Sequence, residues 1–139
     1  MADKTDVLIH GLELSGWVTY VDARITQDAI LPAAVGKNLP QLPHWRGALT
    51  ATWAATPQLD LSLAARYSDR AYGTIDNSDV NADTYQGFDG YFVLDAHARW
   101  RLGRHVQAGL GVDNLNGRSY FVFHPFPQRT LIADLKVAY

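Results

Sequence analysis

Any chemistry in this chain has to come from its histidines, from its one acidic run, or from a nucleophile with a base beside it. His10, His44, His97, His105 and His124 are scattered with no spacing that would bring two of them onto one metal. The stretch "DNSDVNAD" sets Asp79, Asn81 and Asp83 at alternate positions, as the first ligands of a calcium loop are set, with Asp76 just upstream. A calcium loop then needs glycine at its sixth place and glutamate at its twelfth, and here Thr84 and Gly90 stand there. The run therefore reads as a flexible acidic loop. There is no Gly-x-Ser-x-Gly, no triad spacing and no glycine-rich turn to cradle a phosphate. The absence of cysteine excludes disulfides and thiolate metal sites. No catalytic residue, metal or cofactor is expected, and what remains is recognition by surfaces.

The elements that would carry such surfaces are strands. A chain of 139 residues, 47% apolar and 19% charged, is long enough for one folded domain, and its net charge of −2 leaves no basic footprint for nucleic acid. The opening "MADKTDVLIHGLELSG" has no charged and then apolar pattern of a signal peptide. No run of about 18 apolar residues offers a transmembrane helix. That test is blind to β-barrels, whose alternating strands give a weak signal per segment.

Alternation of apolar and polar residues predicts six strands, over residues 8–26, 44–55, 58–72, 91–102, 105–116 and 128–139. In the third, Leu59, Leu61, Leu63, Ala65 and Tyr67 oppose Asp60, Ser62, Arg66 and Ser68. In the fourth, Phe92, Leu94, Ala96, Ala98 and Trp100 oppose Asp95, His97, Arg99 and Arg101. The first is noisier, because Trp17 and Val21 fall out of phase with Leu12, Leu14, Val18 and Tyr20. No segment sustains a period of 3.6, so the chain is all-β.

The connections alternate as well. "ATPQ" and "LGRH" are tight links, whereas residues 27–43, 73–90 and 117–127 are long and rich in Pro, Asn, Asp and Gly. An antiparallel up-and-down meander puts every tight turn at one end of the sheet and every long loop at the other, which is the asymmetry of outer-membrane barrels. Trp45 and Trp53, and again Phe92 and Trp100, lie eight residues apart on the apolar face. That is about 26 Å of strand, or about 20 Å of depth once the strands tilt, close to the spacing of two aromatic girdles. Part of a transmembrane β-barrel is the favoured fold. A soluble β-barrel or β-sandwich binding an apolar ligand explains the alternation but not the loops or girdles, and a small membrane-barrel enzyme or adhesin is a third reading.

Taken in order, "GLELSG" (11–16), "VGKNLPQLPHWR" (35–46), "YFVLDAHARWRL" (91–102), "GVDNLNGRSY" (111–120) and "HPFPQRTLIADLKVAY" (124–139) resemble the C-terminal barrel strands of a TonB-dependent outer-membrane receptor of the siderophore-receptor type. The resemblance implies that Asp113, Asn114 and Leu115 end the penultimate strand. It implies that Pro125, Pro127 and Arg129 lead into a closing strand, whose Ala133, Leu135, Val137 and Tyr139 resemble the barrel-terminus signal read by the insertion machinery. Residues 1–139 would be the C-terminal segment of a barrel of about 22 strands, without its plug, and not competent to transport alone.

The implied job is uptake, across the bacterial outer membrane, of a ferric siderophore or similar bulky ligand. The implied partners are membrane lipid, the remaining strands and plug of the receptor, and the TonB coupling protein through the N-terminal part that this segment lacks. Inward residues such as Asp60, Arg66, Asp95, His97, Arg99, Arg101, Asp134 and Lys136 would face plug and water. Ligand-facing candidates are the loop aromatics Tyr85, Phe88, Tyr120, Phe121 and Phe123 with His124, since aromatic side chains suit flat, partly apolar chelates.

Overall fold

The computed structural model describes residues 10–139. Six strands form one antiparallel sheet in chain order: β1 (Leu12–Tyr20), β2 (Trp45–Thr56), β3 (Leu59–Ser68), β4 (Tyr91–Arg101), β5 (Val106–Asp113) and, after a small hairpin of β6 (Phe121–Val122) and β7 (His124–Pro125), β8 (Thr130–Val137). Consecutive strands pair without crossover, so the expected meander is present. Links 57–58 and 102–105 lie at one end; residues 21–44, 69–90 and 114–129 crowd the other.

Register sorts every strand residue onto one of two faces. Tyr20 lies opposite Trp45, Gly47 opposite Tyr67, and Tyr67 opposite Phe92, which makes an aromatic row at the loop end. Trp53 lies opposite Leu61 and Trp100 opposite Leu59, which makes a second row by the tight turns. Between the rows the face is aliphatic, with Leu49, Leu63, Leu110 and Ala133 at its middle. Among the described residues nothing covers this face: Val18 is 71% exposed, Leu110 67% and Leu131 78%. Among the described residues only Ala34, Ala71, Val93 and Tyr120 are buried hydrophobic side chains, and none of them lies on that face. A soluble sandwich buries such a face under a second layer, and that alternative has no counterpart here. A hollow of about 800 Å³ lies on the same apolar face among Leu12, Trp53, Leu63, Leu110 and Leu131. A twisted sheet is saddle-shaped, so either face is concave along one diagonal.

Several strand ends differ from the sequence expectation; the third strand, expected over 58–72, stops at Ser68, past which Ala71 pairs with Phe88 among the loops instead. The first strand was expected over 8–26; residues 8 and 9 lie outside the described residues, and β1 stops at Tyr20 because its partner begins at Trp45, just past Pro43, which has no N–H for a ladder. Val21 N–H still donates to His44 O (2.9 Å), but residues 23–25 pair with 36–39 instead: Ile25 N–H donates to Lys37 O (2.9 Å) and Leu39 N–H to Ala23 O (2.9 Å). This makes a hairpin stem tipped by a 3-10 turn at Pro32–Ala34. Trp17, apparently out of phase, sits opposite Ala48 on the polar face. β5 stops at Asp113, not 116, because Asn114 turns the chain at φ +52°, a conformation that asparagine tolerates. The closing strand ends at Val137, leaving Tyr139 just past it and fully exposed at the tight-turn end.

Candidate functional site

The long loops are not independent. In the second, Asp79 accepts bonds from Gly73 N–H (2.7 Å), Thr74 O–H (2.7 Å) and Thr74 N–H (3.3 Å), while Asp76 accepts from Ser78 O–H (2.8 Å) and N–H (3.2 Å). Asn77, in the left-handed region at φ +56°, offers its amide to the first loop as a strand would: Asn38 N–H donates to Oδ1 (2.8 Å) and Nδ2 donates to Asn38 O (3.0 Å). Arg70 lies against Tyr72 and donates to Val80 O (3.1 Å) and Asp79 O. The acidic stretch expected to be a flexible loop is therefore a hydrogen-bonded one. Its carboxylates serve backbone donors, and among the described residues no three acidic or histidine side chains converge on a metal position.

The same bonds set a pH limit. Burial pushes Asp79 up, but the bonds from Gly73 and Thr74 outweigh it and hold the acid below the ordinary carboxylate value. The Ser78 and Thr74 hydroxyls hold Asp76 down as well. A group depressed on folding stabilises above its unfolded pKa, near 4, and that stabilisation is lost as pH falls through the lower folded value. Residues 73–80 are expected to keep their amide protection at pH 5–7 and to lose it below about pH 4, which hydrogen exchange resolved to this segment would read.

The second and third loops join into a small sheet of their own. Ala71 pairs with Phe88, and Phe88 with Val122. Gln86 N–H donates to Phe123 O (2.7 Å), Phe123 N–H to Gly87 O (2.7 Å) and Asp89 N–H to Phe121 O (2.8 Å). Phe123 makes the β6–β7 turn at φ +66°. Five of the six expected ligand-facing residues meet here. Tyr85 packs edge-on against Phe121 (centroids 5.6 Å apart) and His124 (6.1 Å), and Phe123 against His124 (4.8 Å) and Phe88 (6.2 Å). Tyr85 is 69% exposed and Phe123 and His124 are exposed, so this rim faces outward; Phe88 and Phe121 are half-buried behind it.

Tyr120 departs from the expectation. It is 2% exposed, stacked between Tyr91 (4.4 Å) and Phe126 (4.9 Å), and desolvation pushes its hydroxyl up to about 12. The ring holds the third loop onto the start of β4 and presents no surface to a ligand.

Beneath the loops runs the polar face. Arg66 donates to both oxygens of Asp95 (2.9 and 3.2 Å), Arg101 to both of Asp60 (2.8 and 2.9 Å), and His97 Nε2 lies 3.1 Å from Asp113. Each pair joins a residue to the neighbour two beyond its direct partner, the diagonal that long side chains span across strands. Gly109 and Gly111 leave bare backbone on which Asp134 and His97 lie flat. Asp95 also accepts a bond from Asn114 N–H (2.8 Å). Asn114 in turn closes the 114–118 turn through Arg118 O (2.7 Å) and Arg118 N–H (2.8 Å). Asn116 then lines the edge of β4 that β5 no longer reaches, accepting from Leu94 N–H (3.0 Å) and donating to Phe92 O (2.9 Å). The family resemblance pointed to Asp113, Asn114 and Leu115, but not to the amide of Asn116 acting in place of a strand.

A family model described as "TonB dependent receptor-like, beta-barrel" matches residues 5–115. The chain is similar to a probable TonB-dependent siderophore receptor, PiuA, of Acinetobacter baumannii, with 26% identity over 78% of this chain and 15% of that protein. It is similar to the same degree, 26% over 78% of this chain and 15% of the other, to a probable TonB-dependent receptor, BfrD, of Bordetella pertussis. Among solved structures, the unliganded ferric citrate transporter FecA superposes at a TM-score of 0.79 with 16% identity, covering 91% of this chain and 21% of that one. The ferric-catecholate import receptor Fiu of E. coli superposes at 0.74 with 23% identity, covering 94% and 19%. The chain thus spans about 15% of the length of the curated relatives it matches.

Proposed function

The chain belongs to the TonB-dependent receptor β-barrel family, and from that premise we propose that it forms the C-terminal six-strand wall of an outer-membrane uptake receptor for a ferric siderophore or a chelate of similar bulk. The family consists of bacterial outer-membrane receptors rather than enzymes, and the work assigned to this segment involves no bond chemistry. The observation that carries the reading is the uncovered apolar face between two aromatic rows, backed by a polar wall and crowned at one end by joined loops. Lipid covers the first surface, plug and water meet the second, and the third meets ligand. Among the described residues β1 and β8 are the unpaired edges of the sheet, each orphaned backbone group costing several kcal/mol in hydrocarbon, so the remaining barrel strands close on them. Energy coupling through TonB belongs to the plug-bearing part of the receptor.

Ligand contact falls to Tyr85, Phe123 and His124, with Phe88 and Phe121 supporting them. In the full-length receptor, Tyr85→Ala combined with Phe123→Ala is expected to weaken binding of the cognate ferric chelate roughly tenfold, as loss of aromatic anchors does, while the folded barrel remains resistant to detergent at room temperature. Quenching of intrinsic fluorescence by ligand measures this. Unchanged affinity in the folded double variant would remove the rim from the binding site.

A further inference from the structure

The apolar face carries one more step at its loop end, and this step rests on the outer-membrane reading above. β5 stops at Asp113, so beyond it the edge of β4 has the amide of Asn116 against it instead of a strand. A hollow of about 450 Å³ opens there, between Tyr67 and Phe92 of the aromatic row and Gly90, Asn116 and Arg118 on the loop side. Two arginines share the turn that walls it. Arg118 Nη2 donates to Gly90 O (3.3 Å), a neutral partner that leaves the guanidinium charge intact. Arg129, exposed at the entry to β8, lies over Gly117, its Nη2 3.1 Å from the point that a β-carbon would occupy. A side chain at position 117 would crowd it, and the φ of +65° there favours glycine as well. Among the described residues neither arginine has a carboxylate within ion-pair distance, and Arg129 makes no hydrogen bond.

The other charges at this place are already engaged or lie elsewhere. Asp69 is the one carboxylate on the lining, and it accepts from Tyr67 O–H and from Trp45 N–H (3.2 Å). Arg70, also on the lining, keeps its charge while donating to the carbonyls of Asp79 and Val80. Asp89, next to Gly90, borders a separate hollow with Arg46 and Tyr91 on the polar side.

We propose that Arg118 and Arg129 bind a phosphoryl group on the headgroup of an outer-leaflet glycolipid, whose acyl chains run down the apolar face from Phe92. An aromatic row marks the membrane–water interface, and the long loops of such barrels are external. The phosphates of the outer leaflet therefore lie at the height of this hollow. Guanidinium forks match phosphate oxygens, two N–H groups to two oxygens. The hollow is continuous with the lipid-covered face, which gives the chains of a lipid a surface that free phosphate cannot use.

The test uses the full-length receptor containing this segment, purified in detergent, with bisphosphorylated lipid A and the same glycolipid stripped of phosphate as probes. The phosphorylated lipid is expected to bind about tenfold more tightly. Arg118→Gln with Arg129→Gln is expected to bring that ratio within about twofold, and each single substitution to lower it about threefold. Glutamine at 118 keeps an N–H for Gly90 O. Arg104→Gln, exposed at the tight-turn end, is expected to leave the ratio unchanged. Equal binding of the two lipids, a ratio that the double variant preserves, or an equal loss in Arg104→Gln overturns the proposal. Displacement of the lipid by millimolar inorganic phosphate assigns the pair to free phosphate and overturns it too. A receptor that still binds its ferric chelate through Tyr85 and Phe123 but shows no phosphate preference loses the lipid site alone. One that binds neither chelate nor lipid loses the uptake reading as well.

Discussion

Leu63→Arg is expected to destabilise the inserted full-length barrel by about 2–4 kcal/mol, the cost of a guanidinium at the bilayer midplane. Leu63 is the middle residue of the apolar face of β3, half-exposed, one same-face position from Leu61, which lies opposite Trp53, and two from Tyr67 on the other side. Ser62→Arg, one residue away on the polar face beside Thr52, is expected to cost less than about 1 kcal/mol, because its head lies in water. The pair is read by urea unfolding in lipid vesicles. The contrast decides which solvent touches which face. If both substitutions cost the same few tenths of a kcal/mol, the apolar face is not in lipid, and the outer-membrane placement of these strands falls with it.

The second large effect falls on the polar wall. Asp95→Ala is expected to cost about 2–3 kcal/mol, because it leaves the Arg66 guanidinium and the Asn114 N–H without their acceptor in a nearly buried position. Arg66 is itself part-exposed and can recover some solvation, which keeps the figure below that for a fully buried pair. Asp113→Ala, which removes the exposed partner of His97, is expected to cost well under 1 kcal/mol. Because Asn114 hangs the third loop from Asp95, the Asp95 variant is also expected to raise cleavage by added protease within residues 114–129, and the Asp113 variant is not. Equal proteolysis in the two would separate the loop from the wall and leave Asp95 with a purely local role.

How much of this was legible beforehand depends on the range of the interaction. All six long strands, both faces and the asymmetry of turns and loops were readable, since a strand declares itself every second residue and a tight turn by one Pro or Gly. The aromatic rows were readable for the same reason, as Trp45 and Trp53 sit on one strand at a spacing that the strand rise converts to depth. The β6–β7 hairpin was not, because two-residue strands are too short to show a period. The end of β1 was missed because alternation continues past Tyr20 while the partner strand does not.

In the candidate site, residue types singled out Tyr85, Phe88, Phe121, Phe123 and His124 but also Tyr120, which differs from them only in being enclosed by Tyr91 and Phe126. The amide of Asn77 on Asn38, the carboxylate of Asp95 under Asn114 and the amide of Asn116 on β4 leave no pattern at all. Sequence alone determined what alternates along each strand, and so which solvent each face must meet, because side chains on a pleated strand point to opposite sides by covalent geometry. Only the tertiary structure decided which loop residues share a surface, because that rests on single hydrogen bonds between segments as much as 39 residues apart, and nothing in the local chain encodes the partner.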